Sequence, residues 1–203
     1  ENGTCATLHT MAVNGYGTAS PDTRLELNFY TGRVEVDGKY VTLDDGTPLQ
    51  YMPLAVEQNL TASKYIETAG ARMKKYEVDR TAYSDGRMPD NDIVLYRYAD
   101  VLLMKAEAKV RNGESGDEQL NAVRSRAGMP SLAATLANIL DERLLELVWE
   151  GWRRQDMIRF GTYCEPYDIH TPSAADKKGY TIVFPIPEKA CELNPNLAQN
   201  PGY

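Results

Sequence analysis

Residues 89–113 read PDNDIVLYRYADVLLMKAEAKVRNG, residues 116–129 read GDEQLNAVRSRAGM, and residues 136–161 read LANILDERLLELVWEGWRRQDMIRFG. Between Ile93 and Met104 only Arg97 and Asp100 carry charge, three positions apart. The spacing predicts a helix over 92–111 that is apolar nearly all round, and such a helix must be covered on most sides. We expect more protein around it, from this chain or from chain beyond it. Asp90 or Asn91 is placed to cap its first turn, and Asn112-Gly113 to end it. Arg97 with Asp100 at i,i+3, and Glu107 with Arg111 at i,i+4, are its expected ion pairs.

Outward from there, a second helix is predicted over 118–127, capped by Asp117 and stopped by Gly128 and Pro130. Leu120, Val123 and Ala127 make its apolar face, with Arg124 and Arg126 pointing elsewhere. Two helices joined by a short turn form an antiparallel hairpin, the unit of tetratricopeptide-like stacks. A third helix is predicted over 136–150, with Gly151 breaking it before a short helix over 152–160. Leu136, Leu140, Leu144, Leu147 and Val148 line one side; Glu142, Glu146 and Glu150 line another at i,i+4 steps.

Those glutamates admit two readings. A glycosidase needs two carboxylates flanking one bond, one with a raised pKa. Carboxylates along one helix face look the same way, and nearby arginines would lower their pKa values. The pattern therefore predicts a salt-bridge network, with Arg153, Arg154 and Arg159 as the nearest partners in sequence. Trp152 is expected to pack in the core. His9 and His170 lie in polar surroundings that resemble neither a nucleophile elbow nor a metal site. No catalytic residue, metal ligand or cofactor motif is read from the chain, which is expected not to be an enzyme.

Composition narrows the partners. A net charge of −7 without a basic cluster excludes nucleic acid and anionic lipid, because phosphate contacts need grouped Lys and Arg. There is no run of 18 apolar residues to span a bilayer. Cys5, Cys164 and Cys191 make no metal spacing; one disulfide with a spare thiol, or three free thiols, are both open. Thirteen tyrosines against three phenylalanines suit half-buried positions where a ring packs and a hydroxyl meets water.

Upstream of the helices, 1–24 reads as loop, and its exposed Asn14 and Tyr16 are the candidate ligand-binding pair: a ring for a sugar face and an amide for its hydroxyls. Strands are expected over 33–36 and 39–43 around Asp37-Gly38, the strongest short hairpin signal. Tyr65, Met73, Tyr76 and Val78 are the expected buried side chains of 64–83. Asn2-Gly3-Thr4 and Asn59-Leu60-Thr61 fit the glycosylation triplet. The end of the chain reads as irregular, with one strand over 180–184 and Pro185 and Pro187 confining it to an edge.

RYADVLLMKAEA, LNAVRSRAGM, DERLLELVWEGWRRQDMIRFG and VFPIPEKACELNPNLAQNPGY, in this order, resemble the C-terminal half of SusD/RagB proteins. FYTGRVEVDG through TAGARMKKYEVDR also fits that family. The resemblance implies a mainly α architecture with irregular loops and a β-hairpin, an α+β fold packed on tetratricopeptide-like helix pairs. It implies three parts of one domain: a loop- and hairpin-rich part over 1–90, a helical core over 91–161, and a tail over 162–203 wrapping that core. It further implies a lipid-anchored protein of the outer-membrane surface that binds glycan without cleaving it. Its partners would be a SusC-type TonB-dependent transporter and the N-terminal half of the same protein. A helical-repeat adaptor, or a peptide- or glycoprotein-binding lipoprotein, is the alternative.

Overall fold

The computed structural model describes residues 4–57, 63–76 and 91–203. The protein is mostly helical with small antiparallel strand pairs, the α+β architecture expected. Its elements are α1 (Leu8–Val13), α2 (Leu25–Asn28), β1 (Phe29–Tyr30), β2 (Gly32–Arg33), β3 (Glu35–Val36), β4 (Lys39–Tyr40), β5 (Gln50–Tyr51) and β6 (Arg72–Met73). There follow α3 (Tyr98–Arg111), α4 (Asp117–Arg126), α5 (Leu136–Leu147), α6 (Arg153–Arg159), α7 (Ala174–Lys177), a 3₁₀ turn (Tyr180–Ile182) and α8 (Glu188–Leu193). The chain forms two compact units, Glu1–Arg153 and Arg154–Tyr203. Val78, the Asp90 cap, Asn2 and Asn59 lie outside the described residues.

In the first unit α3, α4 and α5 pack on one another. α3 begins six residues later than predicted, because Arg97 is extended and its guanidinium bonds to Glu146 and Glu150. The N-cap is Arg97 rather than Asp90 or Asn91, and its side chain makes no capping bond. Asp100, Leu103, Ala106 and Glu107 form the buried face of α3. Tyr98, Val101 and Met104 stand on the other side and are exposed by 75%, 47% and 41%. The described residues therefore cover this helix on one face, not all round. Its predicted end holds: Gly113 N–H donates to Val110 O at 3.1 Å and Glu114 N–H to Lys109 O at 2.8 Å. At the α3–α4 turn a Cβ on Gly116 would lie 2.7 Å from Ala106 O, so only glycine lets the hairpin close.

α4 buries Leu120 and Val123 as its pattern predicts, but Arg124 and Gln119 are buried with them. Asp117 is the first residue of that helix rather than its cap; Gly116 is the N-cap, and Asp117 Oδ1 instead accepts from Ala134 N–H at 2.5 Å. α5 starts on a true cap, Thr135 Oγ1 accepting from Asn138 N–H at 3.1 Å. It ends at Leu147, before Gly151, and the break lies at Val148 and Trp149. Trp149 sits at φ 67°, costly for a bulky side chain. Its indole packs 5.7 Å from the Phe29 ring and donates to Asn28 O at 3.1 Å, which holds it there.

The remainder of the first unit gathers around Ala6, Met11, Leu25, Phe29 and Ala71, with Tyr16, Val148 and Trp149 packed against them. α1 occupies sequence read as loop: six residues are too few to display a helical period. The strand pairs β1–β6, β2–β5 and β3–β4 are all antiparallel. β3 and β4 form the predicted hairpin, with Asp37 at φ 51° and Gly38 at φ 75°, the signs a type I′ turn demands. Tyr65 is half-buried, while Met73 and Tyr76 are exposed, contrary to the burial expected of them. Trp152 is half-buried, its ring 5.4 Å from Tyr96.

In the second unit Ser173 and Asp176 form a capping box at α7. Bonds from Thr181 and Ser173 hold the Asp176 carboxyl down to about 2. The strand expected over 180–184 is a 3₁₀ turn followed by extended chain. Pro185 and Pro187 flank Ile186, whose N–H and C=O both pair with the Gln199 amide at 2.8 Å. Asn200 Nδ2 donates to Phe184 O at 2.7 Å and the Tyr203 hydroxyl to Val183 O at 3.0 Å. Side chains here replace the strand partner that proline excludes. Cys5, Cys164 and Cys191 are free and half-buried. Among the described residues no helix is long and apolar enough to cross a membrane.

Candidate functional site

The i,i+4 spacing on α5 projects Glu142 and Glu146 from one side of the helix, and the chain just beyond it adds Glu150. All three carboxylates are enclosed, with side chains 1–2% exposed. Arg24, one residue before α2, reaches them: its Nη1 donates to Glu142 Oε1 at 2.7 Å and to Glu146 Oε2 at 2.9 Å. Asp22 holds Arg24 from behind, accepting from Nε and Nη2 at 2.8 Å each. From α4, Arg124 donates to Glu142 Oε2 at 2.7 Å and Arg126 to Glu146 Oε1 at 2.5 Å. Arg97 donates to Glu146 Oε1 at 2.5 Å and to Glu150 Oε2 at 2.8 Å; Lys75 also pairs with Glu150. Behind them on α3 and α5, Arg143 donates to Asp100 at 2.7 Å, both side chains 1% exposed.

The predicted salt-bridge network is thus present, with different partners. Arg153 donates to Leu140 O at 3.1 Å, Arg154 to Thr181 O at 2.8 Å, and Arg159 to Asp156 at 2.8 Å. Likewise Arg97 and Asp100 do not pair with each other but with α5 and the residues just after it. Glu107 and Arg111 do pair, at 2.9 Å. The true partners Arg24 and Lys75 stand 118 and 75 residues from the glutamates they meet, beyond the reach of local spacing.

These contacts set the chemistry. Burial alone would raise the Glu146 carboxyl, but Arg97, Arg24 and Arg126 outweigh it and hold it below the ordinary range. Burial would likewise raise the Asp22 carboxyl, but bonds and charge from Arg24 outweigh it and hold it below the ordinary range. Burial would lower the guanidinium of Arg24, yet bonds to Asp22 and Glu142 raise it. Lys75 goes the other way: burial depresses its ammonium, and Glu150 only partly restores it. A Glu146 held ionised cannot serve as the general acid of glycoside cleavage, which needs a carboxyl raised toward neutral pH.

A cavity of about 290 Å³ opens over this network. Arg97, Arg126 and Lys75 line it beside Leu27, Val94 and Tyr76, and Glu146 and Glu150 border it. Tyr76 has a left-handed backbone, φ 69°. The arrangement can hold charge and a small ring; among the described residues no group of His, Cys, Asp and Glu is gathered to hold a metal.

The pair expected to bind ligand sits elsewhere. Asn14 is 1% exposed, so the exposure expected of it is not found. It is the C-cap of α1, its Nδ2 donating to Thr10 O at 2.8 Å and its backbone O accepting from Asp22 N–H at 2.9 Å. Gly15 at φ 68° and Tyr16 complete that cap, with Tyr16 N–H donating to Met11 O at 3.0 Å. Tyr16 is half-buried against the cluster of Ala6, Met11, Leu25, Phe29 and Ala71. Asn14 Oδ1 is buried without a partner among the described residues.

The sequence profile of the SusD family matches residues 15–203. The Starch-binding protein SusD of Bacteroides thetaiotaomicron is 30% identical over 139 residues, 65% of this chain and 25% of that protein. The chain spans about a quarter of the length of the curated relatives it matches. Among solved structures, surface glycan-binding protein A from Bacteroides uniformis superimposes with a TM-score of 0.55 at 24% identity, covering 88% of this chain and 38% of that one. NanU of B. fragilis gives 0.54 at 22% identity, covering 97% and 39%. These two likenesses show a common fold.

Proposed function

The chain belongs to the SusD family, and on that premise we propose that it forms part of a cell-surface protein that binds oligo- or polysaccharide and delivers it to a SusC-type TonB-dependent transporter. The complete protein is lipid-anchored in the outer membrane and does not cleave its ligand. The family match over 15–203 carries this reading. The curated relative named for starch binding supports a saccharide as the ligand class. The arginine-bound Glu146 supports binding over hydrolysis, since a carboxyl held ionised cannot protonate a leaving oxygen.

The remaining helices of the same protein are the second partner. Tyr98, Val101 and Met104 repeat at every third position on the outer side of α3. That stripe is suited to a further helix laid alongside it. The same stripe favours a second reading, a helical-repeat adaptor whose ligand is a protein or peptide.

A panel of oligosaccharides titrated calorimetrically into the complete gene product separates the two. The glycan reading expects saturable binding to at least one saccharide without release of reducing ends. Binding to a peptide and to no glycan establishes the adaptor; release of reducing ends overturns both.

A further inference from the structure

We propose that the cavity over Glu146 and Glu150 takes a carboxylate-bearing sugar, with Arg126 as the residue that meets the carboxylate. This rests on the glycan-binding reading and names the chemical class of the saccharide. The inference starts from charge. Arg24, Lys75, Arg97, Arg124 and Arg126 are bonded to Asp22, Glu142, Glu146 and Glu150, five cations to four carboxylates among the described residues. Counting only the groups that line the cavity, the excess is larger: four cations face two carboxylates. In a chain of net charge −7 this is a local reversal of sign. An enclosed cluster with surplus positive charge is stabilised by an anion.

The surplus sits at the opening. Arg24 and Arg124 are enclosed and bonded to Asp22 and Glu142 within the network. Arg126 has a side chain 63% exposed, and its one hydrogen bond uses Nη2. Nε–H and Nη1 are left without a partner among the described residues, and each can donate a charge-assisted hydrogen bond to a carboxylate.

The walls fit the rest of a sugar. Leu27 and Val94 offer apolar contact, and Tyr76 offers a ring with a hydroxyl. Tyr76 pays for its position with a left-handed backbone, the kind of strain that concentrates at ligand sites. A volume of about 290 Å³ lies at the small end for ligand pockets, which suits one sugar ring at a chain end rather than a long segment.

The test is calorimetry on the complete gene product with glucuronic and galacturonic acids, their neutral counterparts glucose and galactose, acetate, and a short peptide with a free C-terminal carboxylate. We expect a uronic acid to bind at least about tenfold more tightly than its neutral counterpart, as one charge-assisted contact provides. Added salt should weaken that binding. Arg126→Gln should lower uronate affinity about tenfold with the melting temperature unchanged, and Val94→Phe should abolish it by filling the cavity. Equal affinity for acid and neutral sugar, or no effect of Arg126→Gln, overturns the proposal. So does acetate or the peptide binding as tightly as the uronic acid. If neutral glycans bind and no uronic acid binds more tightly than they do, this inference fails while the glycan reading stands. If no saccharide binds at all, both fail.

Discussion

The inner side of α5 and the outer side of α3 invert the usual rule for a folded surface. On the first, Glu142, Glu146 and Arg143 are buried. On the second, Tyr98, Val101 and Met104 are open to solvent, as are Ile93, Leu95 and Tyr96 just before them. The difference lies in where each group's partner resides. Every carboxylate on the α5 side meets a cation from within the first unit, so its burial is compensated on site. The α3 stripe has no such cover among the described residues, which suits it to a contact. Buried charge here fastens the unit together; the exposed apolar face is the one the proposed further helix would cover.

The contrast can be broken most severely at Arg143. Arg143→Met leaves Asp100 charged and enclosed, and should cost about 3–5 kcal/mol in urea unfolding. A double variant that also replaces Asp100 with Leu should recover most of the loss, because no unpaired charge remains. Next, Leu103→Ala on the covered face of α3 should cost about 2–5 kcal/mol. Val101→Ala, on the open face of the same helix, should stay within about 0.5 kcal/mol of the parent in this chain. Equal costs at the two positions would erase the distinction between the faces.

Acid should act more gradually. Glu146 and Asp22 have folded pKa values below their ordinary 4.5 and 3.8, so the stability they contribute is fully present above those values. It is lost as pH falls through the lower, folded values. Melting temperature should therefore hold steady from neutral pH to about 5 and drop below about 4. The smallest effect is expected at Arg126, whose exposed head makes Arg126→Gln worth less than about 1 kcal/mol to stability.

Much of this was legible in sequence, and the rest was not for physical reasons. The three long helices, the helix ends at Asn112-Gly113 and Gly128, and the Asp37-Gly38 hairpin are written in local spacing and turn chemistry. The ionic network was legible as a need, since glutamates in a row on an apolar helix require cations. Its suppliers were not, because Arg24 and Lys75 are brought in by tertiary folding. The start of α3 is not legible because apolar residues 93–96 extend its pattern, whereas Arg97 is held extended by its carboxylate partners. Asn14 and Tyr16 looked like surface chemistry because Asn-Gly reads as a turn. The turn is in fact the C-cap of α1, a helix too short to announce itself.

The most direct measurement places single cysteines at Val101 and Met104 in a background where Cys5, Cys164 and Cys191 are replaced by serine. Thiol-labelling rates are then compared between this 203-residue chain and the complete gene product. The account predicts fast labelling in the chain alone and protection of both positions in the complete protein. Equally fast labelling in the two would contradict it, because the apolar face of α3 would then have nothing laid against it.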